Sequence, residues 1–346
     1  MNVQTLNPLL DHRWDELVAR HPKASIFHER GWLQALKDTY GYEPMTLTRA
    51  VAGQALEGGI VFCRVASWIT GTRLVSLPFA DHCEPLLDEE RDLGEFLDRL
   101  REEFDRRHLR YMEIRPLSAI ESQGRHWPPG RVYCFHRLDL APTLGQIFEG
   151  FHRDSIQRKI RRAEREKLSY EVSRSQTLLD SFYSLLVKTR KRHLMIPQPR
   201  AWFENLVRHL GDKVSIRLAR KDDTPIAALM TLQHRNSVVY KYGCSDERFH
   251  HMGAMPFLFW RLIEESKATG AQEIDFGRSD WDNKGLVTFK DRFGTTRKSL
   301  EYLRYPKSRS GEPGMPWGIR SLQHLISILP NTVLPAAGGI VYRHLG

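Results

Sequence analysis

Three short apolar runs in close succession constrain this chain most. VSIRLAR (214–220), PIAALMTLQ (225–233) and SVVYKYG (237–243) are separated only by the turn-forming KDDT and HRN. Runs of this kind read as strands, and short polar links of this kind join them as hairpins. A helix then starts at Pro256, a residue suited to a first helical position, and ends at Gly270. It leads into a further strand, QEIDFG (272–277). An antiparallel meander followed by a helical crossover into another strand gives a mixed sheet covered by helices.

The first half follows a similar order. Trp14, Leu17 and Val18 mark one amphipathic helix, and Trp32, Leu33, Leu36 and Tyr40 mark a second that stops at Gly41. Strand-like MTLTRAV (45–51), GIVFCRV (59–65) and RLVSLPF (73–79) come next, then a charged helix from Leu93 to His108 and the strand LRYMEIRP (109–116). Gly124, Pro128, Pro129 and Gly130 make 118–131 a loop and a domain boundary. Beyond it, VYCFHRLDL (132–140) is a strand, and helices are expected over 144–168, 177–192 and AWFENLVRHLG. KGLVTFKDRFG (284–294) reads as a short helix and SLEYLRY (299–305) as a last strand. The fold class is α/β (α+β), with subdomains at 1–131 and 132–305 and a tail at 306–346.

A chain of 346 residues holds about two domains at about 150 residues each. With 41% hydrophobic and 27% charged residues, it is neither disordered nor a membrane bundle. No stretch of about 20 apolar residues is present, and the N-terminus does not read as a signal peptide, so a cytoplasmic location is expected. Cys63, Cys83, Cys134 and Cys244 are too scattered for a zinc or redox pair. The formal charge is +10, and residues 151–220 carry 17 Lys/Arg against 7 Asp/Glu. The remaining residues are balanced, so the basic excess points to a local anionic partner.

Four stretches carry candidate chemistry. In YKYGCSD (240–246), strand alternation puts Tyr240 and Tyr242 on one face, where a phenol can donate a hydrogen bond or a proton; sheet packing is the other reading. EIDFGRSDWDNKGLVTFKDRFG (273–294) gathers Asp275, Arg278 and Lys290 among aromatics, as suits a ligand pocket at a strand end. Asp275 is a candidate base or a structural strand-end hydrogen bond. In 152–167 the stripe Ile156, Ile160 and Ala163 is ringed by Arg158, Arg161, Arg162 and Arg165, and TRKRH (189–193) adds Arg190 and Arg192. Two such clusters favour phosphate recognition. In ERFHHMGAMPF (247–257), Gly253 and Ala254 offer backbone N–H groups to a pyrophosphate at a helix start. The adjacent His250 and His251 suit no metal.

FHERGWLQAL, LVSLPFADHCEPL, YKYGCSD, IDFGRSD and GLVTFKDRFG together resemble the FemAB-type, peptidoglycan-bridge-forming branch of the GNAT acyltransferases, and especially envelope-polysaccharide relatives with a BioF2-like acetyltransferase domain. The resemblance covers about residues 10–305. It implies tandem GNAT-like subdomains, each a mixed, mostly antiparallel sheet flanked by helices. It also implies transfer of an acyl or aminoacyl group from acyl-CoA or aminoacyl-tRNA, with no tightly bound cofactor, to an amine or hydroxyl of an envelope glycan or peptidoglycan precursor. By resemblance, Lys290 stabilises the tetrahedral oxyanion, Phe289 packs beside the channel, Tyr240 and Tyr242 line it, and Arg278 and Arg292 hold phosphates. The run His250–Met255 departs from the usual GNAT cofactor loop at its first and last features. An RNA-binding protein using 151–220 and a catalytically inactive family member are the rival readings. The tail, with Leu322, Leu325, Ile326 and Leu329 on one helical face, either docks on the first subdomain or touches a membrane through 320–342, as suits a lipid-linked acceptor at the inner membrane face. No DNA partner is expected.

Overall fold

The computed structural model describes residues 3–49, 54–88, 93–119, 127, 129–306 and 333–346. The chain divides into two compact units. The first holds residues up to Val132, the strand residues from Leu300 and the C-terminal Gly339–Gly346; the second is built on Tyr133–Ser299.

In the first unit the chain forms β1 (Val3–Leu6), α1 (Arg13–Arg20), α2 (Arg30–Tyr40), β2 (Glu43–Arg49), β3 (Gly58–Val65), β4 (Arg73–Val75), α3 (Leu93–Arg106) and β5 (Tyr111–Ile114). The end of β12 (Thr296–Tyr305) completes its sheet in the order β1-β2-β3-β4-β5-β12. Neighbours are antiparallel except β4 and β5, which run parallel across the α3 crossover. Phe96, Leu97 and Leu100 of α3 pack with Phe62, Met112 and Trp127 in the core.

The second unit comprises β6 (Pro129–Asp139), α4 (Leu144–Glu149), α5 (Arg158–Arg165), β7 (Ser169–Ser173), α6 (Gln176–Arg192), α7 (Arg200–Leu210), β8 (Val214–Lys221), β9 (Thr224–His234), β10 (Ser237–Ser245), α8 (Ala254–Ala268), β11 (Glu273–Ser279) and α9 (Lys284–Asp291). Its sheet order is β6-β11-β10-β9-β8-β7, antiparallel except for β10 and β11, which are joined through α8. Both units therefore repeat one plan. A helix pair links the first two strands of a four-strand meander, a helix carries the chain to a parallel fifth strand, and an antiparallel sixth strand closes the edge.

Apolar stripes explain which helix covers which face of the second sheet. Ile156, Ile160 and Ala163 are buried with Leu258, Phe259 and Ile263 of α8 on one face. Phe182 of α6, Phe203 of α7 and Tyr242 of β10 form an aromatic cluster on the other. Phe259 is the hub of the first face. It stacks on Phe276 at 5.1 Å and meets Tyr240 at 4.7 Å and Phe293 at 4.9 Å.

Two expectations need correction, and one strand has no signal in the sequence. The helix expected over 144–168 is broken into α4, a π-helical turn at Arg153–Gln157, and α5. The break follows from tertiary contacts: Phe151 is buried in the core and the His152 N–H donates to the Arg292 carbonyl at 2.8 Å. Helix α8 starts at Ala254, not Pro256; a proline in the first turn still costs little, because its N–H would have no intrahelical partner. Strand β1, only four residues long, has no alternation to reveal it. Residues 307–332, including the tail leucines and most of 320–342, lie outside the described residues; Leu334–Arg343 is helical. Among the described residues no helix is long and apolar enough to cross a membrane.

Truncating Phe259 to Ala should destabilise the protein by about 3–5 kcal/mol. A lowered urea midpoint with an unchanged m-value would show it, and an unshifted midpoint would contradict the hub role.

Candidate functional site

Strands β10 and β11 pair only from Ser237 to Val239 and from Glu273 to Asp275. Beyond that, β10 stays bonded to β9 through Ser245, and β11 to β6 through Ser279. The two strands therefore part in the middle of the sheet. Each carries an irregularity where they part, between Tyr240 and Tyr242 and between Asp275 and Gly277. An extra residue bends a strand and shifts the alternation of everything after it.

That shift decides which side chains reach the site. Tyr240 stays on the α8 face, against Phe259 and Phe276. Tyr242 turns to the opposite face, where its ring meets Phe203 at 5.0 Å and its hydroxyl accepts the Trp202 Nε1–H at 2.8 Å. The expectation that both tyrosines share a face is thus corrected. Tyr242 is 6% exposed and is a core residue. Past the bulge, Cys244 faces Phe182 while Gly243 and Ser245 join the Tyr240 side. A side chain at Gly243 would collide with the Tyr240 hydroxyl, so glycine keeps that hydroxyl beside Met255.

A cavity of about 270 Å³ opens at this end of β10. Ile156 and Lys159 form one wall, Ser245 and Asp246 another, and Phe289 of α9 with Arg292 just after it a third. Phe249, His250 and the Gly253–Pro256 turn complete it. Gly253 is obligatory here. Its φ is +78°, and a Cβ would lie 2.2 Å from the Lys159 carbonyl oxygen, so only glycine lets α8 approach α5. The first turn of α8 presents the N–H groups of Ala254 and Met255, with the positive end of the helix dipole behind them. Pro256 contributes no donor.

The charges are ordered. Arg248 at 2.7 Å and Lys188 at 3.1 Å bind the buried Asp246 carboxylate. The Arg248 hydrogen bond is the main reason its pKa lies far below the usual carboxylate range. Ser245 Oγ and His250 Nε2 are joined by a 2.9 Å hydrogen bond. Partial burial, then Arg192, lowers the His250 pKa from its usual value. Lys159 and Arg292 are exposed at the cavity edge.

The residues expected from sequence fall into three groups. Gly253, Ala254, Phe289 and Arg292 line the cavity. Tyr240 lies beside Met255, which lines it, and Arg192 donates to the Ser245 carbonyl at 3.1 Å. Lys290, Asp275 and Arg278 instead gather at the β11 turn. Lys290 is 2% exposed, and its ammonium donates to the carbonyls of Gly277 at 3.0 Å and Arg278 at 3.1 Å. Asp275 Oδ1 accepts the Gly277 N–H at 2.6 Å, the structural alternative read from sequence. The Arg278 guanidinium lies 4.0 Å over the Tyr133 ring. Arg190 reaches Met195 Sδ at 3.8 Å and does not line this cavity. Sequence reasoning missed Lys159, Ser245 and Asp246 as walls of one cavity; the bulge hid Ser245, since regular alternation points Cys244 inward. Among the described residues, no group of three His, Cys, Asp or Glu side chains is set to hold a metal.

Two variants test this geometry. Gly253→Ala should lose at least about 1–2 kcal/mol from the left-handed backbone alone, read as a lowered urea midpoint. Tyr242→Phe should cost about 1–3 kcal/mol by removing an acceptor from the Trp202 N–H with ligand binding unchanged, and a binding defect in that variant would return Tyr242 to the site.

Comparison with known proteins fits this architecture. The family model of the acetyltransferase (GNAT) domain matches residues 150–285, which contain the meander, α8 and β11. Among solved structures, FemX superposes with a TM-score of 0.66 at 14% identity, covering 86% of this chain and 96% of that one. L-PGS from Bacillus licheniformis gives 0.56 at 15% identity, with 91% and 96% covered. A tandem GNAT protein from the clavulanic acid biosynthesis pathway gives 0.54 at 10% identity, with 89% and 100% covered. A search of curated sequences gave no match. These likenesses show a shared fold, and on the family match the chain carries an acetyltransferase domain of the GNAT type and is an acyltransferase.

Proposed function

We propose that the protein transfers an acyl group from acyl-CoA, bound in the cavity at the start of α8, to an amine or hydroxyl of a cell-envelope glycan or peptidoglycan precursor. The observation that carries the donor half is the cavity itself. It joins an apolar lining (Ile156, Phe249, Met255, Phe289) to cationic Lys159 and Arg292 and to helix N–H groups. A carrier with a flexible thioester arm and a phosphorylated head matches that division. The parting of β10 and β11 gives the arm a way into the sheet.

In the reaction, the acceptor lone pair attacks the thioester carbonyl, a C–N or C–O bond forms, and a tetrahedral oxyanion results. Its collapse breaks the C–S bond and releases CoA thiolate, which takes up the proton that the acceptor gives up. By resemblance to the family, Lys290 is assigned the cation for the developing oxyanion, a contribution worth about 10²–10³ in rate. It lies outside the cavity lining, held by the Gly277 and Arg278 carbonyls, so the thioester carbonyl has to reach the β11 turn between the parted strands. Tyr240 offers a hydroxyl beside Met255 of the cavity lining. The envelope acceptor is supported by the motif resemblance to the bridge-forming family and by the fold shared with FemX and L-PGS.

A second donor, aminoacyl-tRNA, is favoured by one observation. Arg158, Arg161, Arg162 and Arg165 are exposed on α5, the helix that carries Lys159.

Calorimetric titration with acetyl-CoA should show micromolar binding that Gly253→Ala removes. Absence of binding, with tRNA affinity falling linearly on a log scale against log salt, would move the donor to tRNA. Lys290→Ala should lower turnover by about 10²-fold or more with the far-UV spectrum retained; wild-type turnover would remove Lys290 from the mechanism.

A further inference from the structure

His250 differs from the other groups around the cavity because, among the described residues that line it, His250 alone has a side chain that ordinarily changes charge near neutral pH. Its Nε2 is tied to Ser245 Oγ, and both residues line the cavity. The charged groups facing it come from several elements. Lys159 projects from α5, Arg192 ends α6, Arg292 follows α9, and Asp246, Glu247 and Arg248 flank it in sequence. Asp246 is already bound by Arg248 and Lys188. The uncompensated surroundings are therefore cationic, apart from Glu247.

Two physical consequences follow. Without an anion, the cationic neighbours and partial burial disfavour imidazolium, so His250 rests neutral and hydrogen-bonded to Ser245. With a phosphate among Lys159, Arg292 and His250, the added negative charge favours imidazolium, which then has two N–H donors for the ligand.

Resting on the donor reading above, we propose that His250 is a proton-gated phosphate ligand. Entry of a phosphorylated carrier exchanges its bond to Ser245 for one to a phosphate oxygen and takes up one proton from solvent. The sign follows from linkage. The imidazole pKa is higher in the complex than in the free protein, so affinity is greatest below the free value and falls as pH rises through the bound value. Each unit of separation is worth about tenfold in affinity. His251 and His193 lie near but do not line the cavity, so the gating belongs to His250.

The probe is 3′-dephospho-CoA, whose pyrophosphate diester keeps its charge across the range; the 3′-phosphate of CoA itself titrates near about 6 and would blur the result. Calorimetric titrations at about pH 5.5, 7 and 8.5, in two buffers of different ionisation enthalpy, read affinity and proton uptake together. Wild type should bind about tenfold or more weakly at the highest pH than at the lowest, with net proton uptake between them. His250→Gln should bind weakly at every pH with no uptake, and His250→Arg should bind tightly at every pH with no uptake. A pH slope retained in His250→Gln, or wild-type binding without proton uptake, would overturn the gating while leaving the donor reading intact. No binding by wild type or His250→Arg at any pH would overturn the donor reading and the gating with it.

Discussion

A sheet held by a continuous ladder between every pair of strands has no interior opening. In the second unit the ladder between β10 and β11 stops at Val239 and Asp275, and the local chemistry of the site depends on that stop. Each strand keeps its outer partner, so the parting costs no more than one inner ladder. The bends that open it come from single extra residues in β10 and β11. Aromatic packing then holds the geometry: Phe276 of β11 is stacked on Phe259 of α8, which also packs against Tyr240 of β10.

Around that opening, contacts that look independent turn out to be shared. Gly253 lets α8 touch the α5 backbone, which brings Lys159 to the cavity edge. Thr189 and Arg192, at the basic end of α6, both donate to the Ser245 carbonyl. The residue that supplies the hydroxyl to His250 is thus fixed by the same basic cluster that sequence alone reads as an anion-binding surface. Replacing Arg192 will therefore change position as well as charge.

Much of this was legible in the sequence. The meander, the crossover through α8 and the strand IDFG were set by apolar periodicity and turn residues, and their bounds moved by only one or two residues. The cavity-lining Phe289, Arg292, Gly253 and Ala254 were named from motif and position. What stayed hidden was governed by contacts distant in sequence. The helix over 144–168 breaks because His152 donates to Arg292, far along the chain. The two tyrosines separate because a bulge leaves no mark in the alternating pattern YKYGCS. Lys290, named from motif, has its ammonium on the Gly277 and Arg278 carbonyls of β11, a placement no local pattern encodes.

The bulge at Lys241 makes the chemistry of the cavity wall a matter of strand register as well as composition. With the extra residue, Ser245 presents a hydroxyl inward and Cys244 buries its thiol on the opposite face. Were the bulge ironed out with every residue kept, strand phase would reverse for all that follows, and thiol and hydroxyl would trade places with no substitution at either position; loss of Lys241 would leave both where they are. A descendant sequence could in this way bring a sulfur to the cavity by a change of register alone, and an alignment scored by residue identity would record the two proteins as sharing the same serine and cysteine.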